Sequence, residues 1–228
     1  MSLAFVKGSD VVYRLLPAFA VLLLLVALPA AGQETEPEPP KGFVKLFNGK
    51  DTTGWKAHNG KTEAWKVTDG VLHVKGGGGW LMTEKEYGDF EVRLEYKLPK
   101  RGNSGVALRA PRQGDPAYQG MEIQILDDPN YKGLQKYQHT GSIYAVVPSS
   151  KQPSKPIGEW NKYRIVCKGR QVMVELNGEK IVDANLDDYK EKHAKNNPGI
   201  LREKGCIGLQ DHGGGRLDFR NIVIKELK

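Results

Sequence analysis

The sequence predicts an all-β fold, a two-sheet antiparallel sandwich of the jelly-roll kind. Apolar and polar residues alternate through much of the chain after residue 42, the period of a half-buried strand. Asp69-Gly70 and Asn177-Gly178 supply the positive φ that two-residue hairpin loops need. The one helical stretch, about Leu186–Lys195, is short and highly charged, and no strand–helix–strand rhythm is present. Antiparallel strands in this number must stack as two sheets or close into a barrel, because a single open sheet leaves its apolar face wet.

The chain opens with a different pattern. Lys7 and Arg14 precede an apolar run from Leu15 to Leu28, and the small residues Ala30, Ala31 and Gly32 follow. Residues 1–32 read as a secretory signal cut before Gln33, which makes the protein exported, periplasmic or extracellular. The run is about fourteen residues against roughly 20 for a spanning helix, so no stable membrane span is expected after cleavage. An uncleaved N-terminal anchor is the alternative, and Pro17 and the short run both argue against it. Residues 33–41 are acidic and proline-rich and read as an extended tether. Residues 42–228 fit one domain.

The net charge of +7 is spread along the chain, not gathered on one segment, so nucleic acid is not an expected partner. Cys167 and Cys206 sit within apolar strand patterns and read as unpaired core residues, although export would permit a disulfide.

Taken in order, Ala64–Thr68 and Val71–Lys75 form the first predicted hairpin. Gly76–Gly79 lacks a following Gly-Lys-Ser/Thr, so it is read as a sharp turn that lays down Trp80, not as a phosphate loop. Trp55, Trp65 and Trp160 could stack on sugars, but burial is the commoner use. From Phe90 to Leu98 the alternation is cleanest, with Glu91, Arg93, Glu95 and Lys97 on the wet side.

In Ser104–Ala110, Val106 and Leu108 face the core. Asn103, Gly105, Ala107 and Arg109 then share the other face, where small residues leave room for a close approach or a bend. In Gly120–Leu126, Glu122 and Gln124 project opposite Ile123 and Ile125: a base with a hydrogen-bonding companion, or simply a solvated face. His139 and Tyr144 flank the start of a predicted strand at Gly141–Val147. Tyr163–Lys168 and the hairpin Gln171–Leu176 with Glu179–Val182 come next. In Cys206–Gln210, Gln210 points outward, and His212 shares its parity before a glycine-rich loop. Leu217–Glu226 closes the fold.

No Ser/His/Asp order and no His-Glu-x-x-His motif appears. Asp127, Asp128 and Asn130 are a conceivable calcium loop, but three oxygen ligands in a loop are common decoration. No cofactor and no metal site is predicted; a divalent metal is left open.

The sequence resembles the 3-keto-disaccharide hydrolase domain family from about Gly42 to Leu227. Leu46-Phe47-Asn48-Gly49-Lys50-Asp51 with Gly54-Trp55 matches its opening. Asn103-Ser104-Gly105 with Arg109, Glu122-Ile123-Gln124-Ile125-Leu126-Asp127 and Gly208-Leu209-Gln210 match its centre, and Phe219-Arg220-Asn221-Ile222 its close. The resemblance implies a concanavalin A-like fold and cleavage of glycosides already oxidised at C3 of the sugar. A C3 ketone acidifies the C2 proton; a base removes it, the enolate expels the C1 substituent, and water adds to the enone. On this reading Glu122 or His212 moves the proton. Asn103, Arg109, Gln124, Gln210, His139 and Tyr144 hold the sugar or the developing oxyanion.

Two rivals stand beside it. A non-catalytic carbohydrate-binding module needs amides and aromatics but no base. A retaining glucanase needs two carboxylates about 5 Å apart. Here Gln124 and Leu126 replace the later acids, so only a bulge bringing Asp127 onto Glu122's face would restore a pair. The sugar chemistry requires Glu122, Arg109, Gln210 and His212 to reach one pocket.

Overall fold

The computed structural model describes residues 38–228, so the segment expected to be a secretory signal and most of the expected tether lie outside the described residues. In chain order the strands are β1 (Val44–Lys45), β2 (Trp55–His58), β3 (Lys66–Thr68), β4 (Val71–Val74), β5 (Gly79–Thr83), β6 (Phe90–Lys97) and β7 (Asn103–Ala110). After the short helix α1 (Pro116–Gln119) come β8 (Met121–Leu126), β9 (Asn161–Lys168), β10 (Gln171–Leu176) and β11 (Glu179–Asn185). Helix α2 (Lys190–His193), β12 (Cys206–Asp211) and β13 (Leu217–Glu226) complete the set. The larger sheet runs β11-β10-β9-β6-β13-β4-β3, with β1 also on β13; the smaller runs β2-β5-β12-β7-β8.

The alternation read in the sequence is what joins the sheets. Phe90, Val92, Leu94 and Tyr96 of β6 meet Val106, Leu108, Ile123, Ile125, Ile207 and Leu209 of the smaller sheet in one core. Each such side chain contributes about 1.5–3 kcal/mol by leaving water. On the outer side of β6, Glu91 binds Arg164 at 2.6 Å and Glu95 binds Arg220 at 2.9 Å, so that face is a lattice of charge pairs. Both hairpin turns form with the predicted positive φ: Asp69 (50°) and Gly70 (74°), Asn177 (53°) and Gly178 (87°). Among the described residues no helix is long and apolar enough to cross a membrane.

Four local expectations change. Gly141–Val147 is not a strand: Ala145 adopts a positive φ of 62° and the segment folds back through isolated bridges from Ile143 to Ile123 and to Val147. Trp55–His58 and Gly79–Thr83, left unassigned by the sequence, are strands. Trp80 to Thr83 are buried on both faces, so β5 has no alternation to read. The expected helix near Leu186–Lys195 is a 3-10 turn, Leu186–Tyr189, running into the four residues of α2. The strand at β7 carries a bulge: Cys206 pairs with Ala110 but Gly208 with Ala107, so Leu108 and Arg109 together oppose Ile207.

Both cysteines are buried and unbonded. Cys167 lies in the main core, where burial pushes its thiol up to about 12. Cys206 belongs to a second small cluster with Trp80, Met82, Ala107, Ala110 and Ala117, on the opposite face of the smaller sheet. Through Ala117 that cluster seats α1 against the sheet.

Candidate functional site

The face of the smaller sheet turned away from the core carries a cavity of about 340 Å³. Its floor comes from four strands. Glu122 and Gln124 of β8 stand opposite Ala107 and Gly105 of β7, and Gln210 of β12 stands opposite Trp80 of β5. Ser104 Oγ donates to the Gln210 carbonyl at 2.7 Å, tying β7 to β12 at the cavity. Asp115, Tyr118 and Tyr144 form the walls, and Asn59, Asn103 and His212 complete the lining.

Each wall has a local cause. Asp115 caps α1, its Oδ1 accepting the Ala117 amide at 2.9 Å, and Pro116 fills the first helical position where no N–H is needed. The Gly114 carbonyl meets His58 Nε2 at 2.6 Å, which fixes the turn before the cap. Tyr144 donates its backbone N–H to the Glu122 carbonyl at 2.8 Å. Its ring meets Tyr118 edge-on, centroids 6.0 Å apart. Asp211 accepts the amides of Gly78 and Gly213, so it joins the two glycine-rich turns beside the cavity.

Glu122 is the chemical centre. It is 4% exposed. A Cβ on Gly105 would stand 1.9 Å from Glu122 Oε1, so the bare glycine is the seat in which the carboxyl lies. Burial, and after it the negative charge of Asp115, push Glu122 up to about 8. At neutral pH it therefore carries a proton, as a general acid must. Gln124 Oε1 accepts the Ile125 amide at 3.0 Å. The Gln210 side-chain oxygen is buried and takes no hydrogen bond from the described residues, which leaves it free for a ligand.

Of the residues proposed from the sequence, Glu122, Gln124, Asn103, Gln210, Tyr144 and His212 meet at this cavity. Two do not. Arg109 is fully buried elsewhere, because the bulge removes it from the face of Asn103 and Gly105 and its backbone takes a φ of 49°. Its guanidinium donates to the Gly88 carbonyl (3.0 Å), the Gly169 carbonyl (2.8 Å) and Asp89 Oδ1 (3.0 Å), the work of a clamp between loops. His139 lies outside the cavity with its Nδ1 3.1 Å from Asp128.

The acids after β8 are also spoken for. Asp127 Oδ2 accepts the Arg101 amide (2.7 Å) and Asn130 Nδ2 (2.8 Å), and Asp127 does not line the cavity. No group of three or more His, Cys, Asp or Glu among the described residues is arranged to hold a metal ion. Trp55 and Trp65 are buried, and half-buried Trp160 lies against Arg220, 4.1 Å from its ring centroid.

Trp80, Asp115, Tyr118 and Asn59 were not among the sequence candidates. Asp115-Pro116 carries a readable helix-start signature, but nothing in the sequence says that this turn docks over Glu122.

A twisted two-sheet sandwich with a polar cavity on one sheet face defines a class, that of lectin- and glucanase-like jelly rolls. Within it, residues 42–225 match the 3-keto-alpha-glucoside-1,2-lyase-like domain, and the chain belongs to that family. It is 30% identical to a 3-keto-disaccharide hydrolase of Bacteroides thetaiotaomicron over 84% of this chain and 80% of that protein. The crystal structure of a candidate glycosyl hydrolase from Parabacteroides distasonis is 32% identical, with a TM-score of 0.72 over 82% of this chain and 94% of that one. An endo-β-1,3(4)-glucanase of family GH16, 14% identical with a TM-score of 0.52 over 84% of this chain and 95% of that one, shares the fold alone.

Proposed function

We propose that this protein is an exported carbohydrate-active enzyme that cleaves 3-keto-glycosides by C2 proton abstraction, elimination and hydration. One observation carries the reading: the buried carboxyl of Glu122 lies on the strand floor of a polar cavity, in the seat left by Gly105, with the unpartnered side-chain oxygen of Gln210 lining the same cavity. Family membership supports the substrate class, and the relative named as a 3-keto-disaccharide hydrolase supports it further. The charged segment, apolar run and small residues at the start of the chain support export.

In this mechanism His212, an exposed residue lining the cavity, takes the C2 proton of the keto-sugar. The electron pair moves into the C2–C3 bond and onto the C3 oxygen, where the side-chain amides of Asn103 and Gln210 donate hydrogen bonds. The enolate collapses, the C1–O bond breaks, and Glu122 gives its proton to the departing oxygen. Water then adds at C1 of the enone and C2 regains a proton, with Glu122 now the base. The net reaction consumes one water and releases 3-ketoglucose.

The test is direct. The protein is incubated with 3-ketotrehalose, 3-ketosucrose and their unoxidised parents, with and without a chelator. Release of 3-ketoglucose from the oxidised substrates alone is the expected result. Cleavage of the parents would favour a conventional glycosidase, and binding without cleavage a carbohydrate-binding module.

A further inference from the structure

The strand that carries Glu122 supplies no second acid to the cavity: Gln124 occupies the next outward position and Asp127 is tied to Arg101 and Asn130. The second carboxylate arrives from another part of the chain. Asp115, seven positions before Glu122 and in neither strand nor core, lines the same cavity. The two stand in opposite surroundings. Glu122 is buried, and its carboxyl accepts no hydrogen bond from the described residues. Asp115 is exposed and has one oxygen fixed by the Ala117 amide.

We propose that Asp115 is a positioning residue of this site, a fixed negative charge that adds to burial in keeping the proton on Glu122 and so favours Glu122 as the donor, leaving proton abstraction to His212. The division of labour rests on the reaction proposed above; the coupling between the two carboxyls does not. A negative charge lining the cavity in which a buried carboxyl lies raises the cost of ionising that carboxyl. Burial acts on Glu122 in the same direction, and the two effects together hold it protonated to about pH 8.

The other groups facing Glu122 do not replace this effect. From β7 come Asn103, Gly105 and Ala107, from β5 Trp80, and from β12 Gln210, all uncharged. Tyr118 and Tyr144 are phenols, and burial raises Tyr118 further above neutral pH. Asp211 lines the cavity with its two oxygens held by the Gly78 and Gly213 amides. His212 is the one basic side chain lining the cavity, and it is exposed.

Charge and helix cap can be separated. Asn and Ser both cap helices about as well as Asp, so Asp115→Asn and Asp115→Ser remove the charge and keep the turn. The glutamate side-chain carboxyls are labelled with 13C, and the Glu122 signal is identified by its loss in Glu122→Gln. Its titration is followed by NMR in the parent protein and in both variants. The expected result is a midpoint about one pH unit lower in each variant, with the alkaline limb of 3-keto-disaccharide turnover moving by the same amount. A midpoint that stays in place overturns the coupling. Turnover lost at every pH, with the fold intact, overturns the positioning role and makes Asp115 a reacting group. A parent protein inert on every keto-sugar overturns the reaction and the division of labour, while the titration still decides the coupling.

Discussion

The carboxyl of Glu122 lies in the space that a side chain on Gly105 would fill: a Cβ there would come within 2.6 Å of its Cδ and 1.9 Å of its Oε1. The two residues are on neighbouring strands, diagonal to one another and two positions out of register, since Gly105 pairs with Gln124 and Glu122 with Ala107. Gly105 is extended, so alanine suits its backbone, and the end of a movable side chain is what must give way. Gly105→Ala should therefore fold, lose about 1–3 kcal/mol, and lower kcat by about a hundredfold through a displaced proton donor. Steady-state kinetics beside a denaturant titration checks both halves; an unchanged kcat would mean that the seat has no bearing on the chemistry.

Glu122→Gln should reduce turnover of a 3-keto-disaccharide by about 10²–10⁴-fold while leaving sugar affinity nearly intact. It should also change how stability depends on pH. In the folded protein Glu122 keeps its proton to about 8, against an ordinary value of 4.5. Between those values the unfolded chain sheds a proton that the native state retains. The native state therefore loses stability as pH rises through this window and levels off above it. Urea titrations at pH 5, 7 and 9 should show this decline in the parent protein and a flatter profile in Glu122→Gln.

Arg109→Met should destabilise the fold by about 1–3 kcal/mol, because the Gly88 and Gly169 carbonyls lose their buried donor, while Asp89, a third exposed, can turn to water. Since Arg109 lies outside the cavity, KM for the keto-sugar should stay within about twofold in whatever fraction remains folded. A rise in KM beyond tenfold would show that the clamp reaches the site.

Gln210→Leu separates catalysis from folding in the opposite sense. The buried side-chain oxygen has no partner in the described protein, so an apolar replacement of similar size should leave stability unchanged or slightly higher. Loss of one hydrogen bond to the C3 oxygen, where charge develops in the reaction, should lower kcat/KM by about a hundredfold. Calorimetric unfolding and steady-state kinetics on one preparation measure the two effects.

The outward parity of Glu122 and Gln124 was legible because alternation is a property of consecutive residues and β8 is regular. The same reasoning put Arg109 on the wrong face. Nothing in Val106-Ala107-Leu108-Arg109 announces that one residue of β12 will oppose two of β7, and a single extra residue reverses every later side chain. Gly105 was read as room for a close approach, which is right in kind; that the approaching group is Glu122 depends on β8 pairing with β7.

By itself, then, the sequence determined the all-β class and most of the strands, both hairpin turns, the buried cysteines' apolar settings and the polar stripe of β8, all of which follow from local period and turn chemistry. Tertiary structure alone decided that Trp80, Asp115 and Tyr118 share a cavity with Glu122, that Arg109 does not, and that Glu122 holds its proton. The reason is physical. Pairing register, bulges and desolvation depend on which distant segments meet, and a proton's affinity for a carboxyl is set by the water and charge around it, which no run of neighbouring residues specifies.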